Sequence, residues 1–142
     1  MRFWDTSAIV PLIVSQPQAA AVRLLLQDDP QMIVWWATLV ECVSAISRLE
    51  REGALSSAQA VSGLASLRDI EKSWREIEPG DRLRDVAVRL MRTHPLRGAD
   101  ALQLAAAIVA ADGEPRALPF VTLDDRLARA AEREGFTVIE PA

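Results

Sequence analysis

The 142-residue chain is predicted to fold as an α/β protein, with a central, mainly parallel sheet between two layers of helices. Short apolar runs typical of buried strands alternate with longer segments in which apolar residues recur at helical spacing. Strands that are separated by helical segments favour parallel pairing through right-handed crossovers. The length suits one domain, and we expect it to cover residues 1–142.

Five short segments have the composition of strands, because each is rich in apolar or β-branched residues and is bounded by turn-forming residues. They are 2–4 "RFW", 32–36 "MIVWW", 75–79 "REIEP", 118–122 "LPFVT" and 136–140 "FTVIE". The third segment is the least apolar and contains Pro79, which favours a position at the edge of the sheet.

Helical patterns fill the intervals between these strands. In chain order they cover 6–13, 17 to the "QDDP" of 27–30, 38–53, 56–74, 82–92, 99–113 and 124–135. Thr6 or Ser7 is placed to cap the first helix, and Pro17 is suited to the start of the second. Gly53 stands where a left-handed residue commonly ends a helix.

Composition is that of an ordinary globular protein, with half of the residues hydrophobic and a quarter charged. No apolar run approaches the roughly 18 residues of a membrane span. Asp5 and Pro11 interrupt the apolar start of the chain, which argues against a secretory signal. The single cysteine, Cys42, excludes an intramolecular disulfide and fits a reducing compartment. We therefore expect a cytoplasmic protein that does not enter a membrane.

The net charge of −4 argues against a general nucleic-acid coat protein, because nonspecific phosphate binding grows with the number of cationic contacts. It leaves room for a nuclease with a local basic rim. Of the 16 basic residues only Lys72 is a lysine, and arginine suits bidentate phosphate contacts. Arg97 and Arg126 flank acidic positions, where they are either ordinary surface residues or phosphate contacts.

Four acidic residues lie where predicted strands end or predicted helices begin. Asp5 directly follows the first strand, and Asp124 lies two residues after Thr122 at the end of the fourth. Glu41 and Asp100 fall in the first turns of two helices. Because the carboxyl ends of parallel strands form the ligand crevice of such a sheet, we expect the four carboxylates to face one crevice.

Each of these positions also has a purely structural interpretation. Asp124 is well placed to cap a helix, and Asp100 puts a negative charge at a helix N-terminus. Thr38 and Glu41 have the spacing of a capping box, in which the glutamate would reach back to the backbone of the threonine. Asp125 is expected to be a solvated first-turn charge, although its adjacency to Asp124 leaves open which of the two points inward.

As a set, the four acids favour a divalent cation. Two carboxylates about 5 Å apart repel by about 3 kcal/mol at an effective dielectric constant near 20, so a cluster stays ionised only with cations to bind. Oxygen ligands suit Mg²⁺ or Mn²⁺, whereas zinc is disfavoured because His94 and Cys42 are the only histidine and cysteine. His94 is expected to be a loop residue before Pro95.

Four motifs occur in the order and context of PIN-domain proteins. They are "DTSA" at residue 5, "LVECVSAISRL" around Glu41, "LRGADALQLAAA" around Asp100 and "FVTLDDRLARAA" around Asp124. The chain resembles the VapC-type toxin ribonucleases of type II toxin-antitoxin systems most closely, and the resemblance covers nearly its whole length. It implies a PIN-like three-layer α/β/α sandwich, with Thr122 as the hydroxyl of a "TxD" element.

The function implied by the resemblance is a metal-dependent endoribonuclease that hydrolyses RNA phosphodiester bonds with an activated water. The cofactor would be Mg²⁺, with Mn²⁺ as the other possibility. Asp5 and Asp100 would be the principal metal ligands, and Glu41 and Asp124 would complete the site. Hydrogen bonds from the hydroxyls of Thr6 and Thr122 would support these ligands, while Ser7 is expected only to cap the first helix.

The resemblance also implies partners for the chain. VapC-type toxins commonly form homodimers and are restrained by a small antitoxin that covers the acidic site. The sequence contains no dedicated DNA-binding element, so we expect no direct DNA binding by this chain. The RNA that would be cut is not specified by any motif.

Three other functions were weighed. A haloacid-dehalogenase-type phosphatase needs an aspartate two residues after the first, where this chain has Ser7. A response-regulator receiver needs a lysine late in the sheet, whereas Lys72 lies in a polar helical stretch. The serious alternative is a catalytically silent PIN-like module that binds RNA or protein.

Overall fold

The computed structural model describes residues 1–142 and contains five strands, seven α-helices and one 3-10 turn. In chain order the elements are β1 (Arg2–Trp4), α1 (Thr6–Ile13), α2 (Ala19–Asp28), β2 (Met32–Trp35), α3 (Thr38–Arg51), α4 (Ser57–Glu71), β3 (Arg75–Ile77), α5 (Asp81–Thr93), α6 (Gly98–Ala111), the 3-10 turn Pro115–Ala117, β4 (Phe120–Val121), α7 (Asp125–Arg133) and β5 (Val138–Ile139). Every predicted strand is present. The 3-10 turn was not predicted.

The five strands form one sheet in the order β3-β2-β1-β4-β5, and all four pairings are parallel. β1 lies at the centre, where Phe3 pairs with Ile33 on one side and with Phe120 on the other. β3 lies at an edge, as the proline-bounded sequence predicted. The order places the carboxyl ends of β1, β2 and β4 side by side.

Alternating side chains of the strands are buried on opposite faces of the sheet. Phe3 and Phe120 join a core with α5, α6 and α7, and their rings stack with centroids 5.3 Å apart. Trp4, Val34 and Val121 join the opposite core, which is built from α1 to α4. Because both faces are covered, the strands consist of continuous apolar runs. The predicted three-layer α/β/α architecture is confirmed.

Several expectations about single positions were wrong. α1 is capped by Asp5, whose side chain accepts from the backbone N–H of Ser7, and not by Thr6 or Ser7. The helix predicted from residue 17 begins at Ala19. His94 is buried at the C-cap of α5, where Nε2 lies 2.7 Å from Glu134 Oε2, so it is not a simple loop residue.

No helix in the structure has the length and apolar character needed to span a bilayer. Of the two adjacent tryptophans, Trp35 is buried and Trp36 is 52% exposed, as expected for a strand end with one residue facing the core.

Candidate active site

The centre of the candidate site is Asp5, which directly follows β1 and is only 4% exposed. Its Oδ2 accepts hydrogen bonds from the hydroxyls of Ser7 at 2.5 Å and Thr122 at 2.9 Å, and a longer one from the backbone N–H of Ser7. The carboxylate therefore caps α1 and is held in a fixed orientation by β4. Burial raises the pKa of Asp5 to about 6, because desolvation outweighs these hydrogen bonds.

Ser7 joins the two loops that carry Asp5 and Asp124. Its Oγ accepts from the backbone N–H of Leu123 at 2.8 Å, and Thr122 Oγ1 accepts from the backbone N–H of Asp124 at 3.0 Å. The two hydroxyls thus receive hydrogen bonds from the β4–α7 loop and donate to Asp5. Ser7 was expected only to cap α1, and this interpretation was wrong.

Glu41 lies in the first turn of α3 and does not form the capping box that its spacing with Thr38 suggested. The N-cap of α3 is Ala37, and it makes no side-chain capping bond. Instead, Glu41 Oε2 accepts from Gln103 Nε2 of α6 at 3.1 Å. The pKa of Glu41 is raised to about 7, chiefly by burial and then by the charge of Asp5. The glutamate is thus directed towards the other acids and not towards its own helix end.

Gln103 is a buried polar residue that the sequence interpretation missed. Its Nε2 also lies 3.0 Å from Thr6 Oγ1 and 3.1 Å from Thr38 Oγ1, so one amide joins α1, α3 and α6. Its Oε1 is buried without a hydrogen-bond partner. The only sequence signal was a glutamine within the alanine-rich run, one helical turn after Asp100 and on the same face.

Asp100 and Asp124 form the more exposed part of the site. Asp124 Oδ1 accepts from the backbone N–H of Leu127 at 3.0 Å, so the residue does cap α7, and it also lines the cleft. Burial and the charge of Asp124 raise the pKa of Asp100, while the nearby guanidinium groups of Arg97 and Arg126 oppose this rise. Asp125 is exposed, so Asp124 is the acid of this pair that faces the cleft.

The four acids line one open cleft of about 650 Å³ at the carboxyl ends of the strands. The polar residues that line it are Asp5, Thr6, Ser7, Gln16, Glu41, Ser44, Arg48, Asp100 and Asp124. They come from α1, α3, α6 and the loop before α7, which meet only because the sheet order places β1 between β2 and β4. Thr122 does not line the cleft but contacts Asp5 from beneath.

The donor set fits a hard divalent cation, because it consists of carboxylate oxygens and two of the carboxylates are held in place by hydroxyl or amide donors. The raised pKa values of Asp5, Glu41 and Asp100 indicate negative charge without a compensating cation. The side chains do not yet surround a single point, since no group of three or more Asp, Glu, His or Cys residues is arranged to hold a metal ion.

A parallel α/β sandwich with an acidic cleft at the carboxyl edge defines the class of protein to which this chain belongs. A family model described as PIN domain matches residues 2–133. The chain belongs to the PIN-domain family. No curated protein matches it in sequence.

Solved structures of toxin-antitoxin proteins share the fold. A chain of a toxin-antitoxin complex from Klebsiella pneumoniae is 16% identical with a TM-score of 0.69, and the match covers 100% of this chain and 98% of that one. FitAcB from Neisseria gonorrhoeae is 16% identical with a TM-score of 0.68, covering 99% and 98%. VapBC-5 from Mycobacterium tuberculosis is 21% identical with a TM-score of 0.58, covering 98% and 95%. At these identities the likeness is one of fold.

Proposed function

We propose that residues 1–142 act as a single PIN domain and as a metal-dependent endoribonuclease, the toxin of a type II toxin-antitoxin pair. The observation that carries the proposal is the convergence of Asp5, Glu41, Asp100 and Asp124 on one cleft. Two of these carboxylates are raised in pKa to about 6 and about 7, so the protein spends stability on keeping them together. Such a cluster is typical of a functional site.

The proposed cofactor is Mg²⁺, with Mn²⁺ as the other possibility. Asp5 and Asp100 would be its principal ligands, and Glu41 and Asp124 would complete the set. A divalent ion in a site of this kind supplies positive charge that offsets charge building up on a phosphate and lowers the pKa of water.

The remaining polar residues of the site would hold these ligands in position. Ser7 and Thr122 donate to Asp5, so the hydroxyls fix the carboxylate that lies deepest in the cleft. Gln103 donates to Glu41 and also contacts Thr6. A phosphodiester placed in the cleft would then meet carboxylates whose orientation does not depend on the substrate.

The proposed partners are an antitoxin that covers the acidic site and a second copy of the chain. Support comes from the fold, since the similar structures are described as members of toxin-antitoxin systems. RNA is the proposed substrate, in the cytoplasm, and no direct binding of DNA by this chain is proposed.

The alternative is a catalytically silent PIN-like module that binds RNA or protein. The observation in its favour is that no three acids are arranged around a common point. Both proposals use the same cleft, and they differ in whether a phosphodiester bond is broken there.

Mapping of new 5′-phosphate RNA ends would decide between them. The purified, antitoxin-free protein is incubated with total cellular RNA in Mg²⁺, in Mn²⁺ or in chelator, beside Asp5→Asn. We expect ends that require both a divalent cation and Asp5, and their sequences would name the substrate. A folded sample that produces no such ends would favour the silent module.

A further inference from the structure

A row of arginines leads away from the acidic cleft along α7. Arg126, Arg129 and Arg133 are exposed. At about 100° per residue they fall within an arc of about 60°, and they extend for about 10 Å along the helix. The two acidic residues of the same helix, Asp125 and Glu132, fall outside this arc. A chain with a net negative charge thus presents a continuous positive edge beside its acidic site.

Two smaller depressions connect the acidic cleft to this row. The first, of about 330 Å³, shares Asp100 and Asp124 with the cleft. The second, of about 320 Å³, shares Pro95 and Arg126 with the first. The three depressions therefore adjoin one another and form one groove, with carboxylates at one end and guanidinium groups at the other.

The charges of this groove are not neutralised by ion pairs. None of Arg97, Arg126, Arg129 and Arg133 has a carboxylate oxygen within 4.0 Å. By contrast, Arg89 binds Glu134 through two nitrogens, at 2.8 and 3.4 Å. An anion that enters the groove would therefore not have to displace an internal partner.

His94 forms a wall of the far depression and is buried. Its Nε2 lies 2.7 Å from Glu134, and the hydrogen bond from Arg89 lowers the pKa of that glutamate, which is therefore an acceptor. The Nδ1 atom is left buried without a hydrogen-bond partner. Buried polar atoms rarely lack partners, and a phosphate oxygen in this depression would accept a hydrogen bond from Nδ1–H of the charged ring.

We propose that the row Arg97, Arg126, Arg129 and Arg133, together with His94, is the track on which the backbone of single-stranded RNA lies as it enters or leaves the acidic cleft. This inference rests on the proposed ribonuclease function and deepens it. Arginines spaced along a groove bind successive phosphates without regard to base sequence. A protein segment is the weaker occupant, because only one of the six residues lining the far depression is hydrophobic and an apolar anchor has no pocket to fill.

The test is the affinity of the full chain for a fluorescent single-stranded RNA of mixed sequence, measured by anisotropy over a range of salt with chelator present to prevent cleavage. The variant is Arg129→Gln/Arg133→Gln. The matched control is Arg75→Gln/Arg116→Gln, whose arginines are also exposed and unpaired but lie at the amino ends of β3 and β4. We expect about a tenfold loss of affinity and a salt slope smaller by about 1.4, which is two contacts at about 0.7 each. The control should bind like the wild type.

Equal affinity and an equal salt slope for the two double variants would overturn the track. Cleavage by the wild type in Mg²⁺ or Mn²⁺ is assayed in parallel, so the nuclease can fail while RNA binding still depends on the row, or the reverse. A polyglutamate peptide is the last arm. If the α7 variant loses peptide binding and keeps RNA binding, the row serves an acidic protein partner and the assignment to RNA is wrong.

Discussion

Asp5 has two roles that oppose each other energetically. As the N-cap of α1 it satisfies a backbone N–H, which stabilises the fold. As a buried carboxylate with its pKa raised to about 6, it is a charge that the folded state binds poorly. The second effect is the larger, because desolvation is the main cause of the shift. Site residues that cost stability are common in proteins whose activity depends on them.

The substitution Asp5→Asn should therefore stabilise the metal-free protein at high pH. Because the folded pKa is raised from 3.8 to about 6, the folded state retains a proton between those values that the unfolded state has released. Stability falls as pH rises through that window, by about 3 kcal/mol in all. Asn keeps an acceptor oxygen and is an equally good N-cap. Urea unfolding in chelator should show a gain of up to about 3 kcal/mol at pH 8 and almost none at pH 4; a variant less stable than the wild type at pH 8 would contradict this.

Gln103 is the residue through which α6 positions Glu41. The substitution Gln103→Leu keeps the approximate size of the side chain and removes the donor to Glu41, Thr6 and Thr38. We expect metal-dependent cleavage to fall by about 10- to 100-fold, as for the loss of other partners that orient metal ligands. Gln16→Leu is the matched control, because Gln16 lines the same cleft and makes no hydrogen bond with the acids. Similar losses in both variants would show that only the polarity of the cleft matters.

Among the helices, α6 brings the two halves of the site together. Asp100 lies in its first turn and Gln103 one turn deeper on the same face, while three consecutive alanines, 105–107, are fully buried against the sheet and α5. Small side chains let the helix pack closely and so bring Gln103 within hydrogen-bond distance of α1 and α3. The alanine-rich run thus determines the depth of the site as well as the packing of the core.

The true capping box of the structure is at α4, which contributes no residue to the cleft. Ser56 Oγ accepts from the backbone N–H of Gln59 at 3.1 Å, and Gln59 Oε1 accepts from the backbone N–H of Ser56 at 2.8 Å. Ser56→Ala should lower the free energy of unfolding by about 1 kcal/mol. Ser57→Ala, at the next position, should change it by much less. Denaturant unfolding measures both, and cleavage per folded molecule should be unchanged; a loss of activity would link α4 to the site.

For the protein as a whole, the acidic cleft makes stability depend on divalent cations. A cation at 100 times its dissociation constant stabilises by about 2.7 kcal/mol, which corresponds to about 5–10 °C in Tm. We expect Mn²⁺ or Mg²⁺ to raise Tm at pH 8 and to do so less at pH 5.5, because protons compete for Asp5 and Glu41 below their pKa values of about 6 and about 7. Differential scanning fluorimetry gives both values.

The variant Asp5→Asn/Asp100→Asn supplies the control for this measurement. It lacks the two proposed principal ligands, so added cation should leave its Tm nearly constant at either pH. A shift as large as that of the wild type would mean that the cation acts on the net charge of −4 and not on the cleft.

The sequence by itself determined the elements and their order. Each strand and helix is specified by apolar period and by turn residues that are neighbours in the chain, and the ordered acids predicted one cleft at the carboxyl ends of the strands. Local patterns were less reliable for single residues: the spacing of Thr38 and Glu41 suggested a capping box that is absent, while Asp124 both caps α7 and lines the cleft.

Only the tertiary structure decided how the acids are held and charged. Gln103 meets Thr6 across 97 positions of sequence and Glu41 across 62, and Ser7 meets Leu123 across 116. Such contacts depend on which strands are neighbours and how closely α6 packs, and no local pattern encodes either. Burial likewise sets the pKa values of Asp5 and Glu41, because desolvation is a property of the surrounding fold and not of the carboxylate itself.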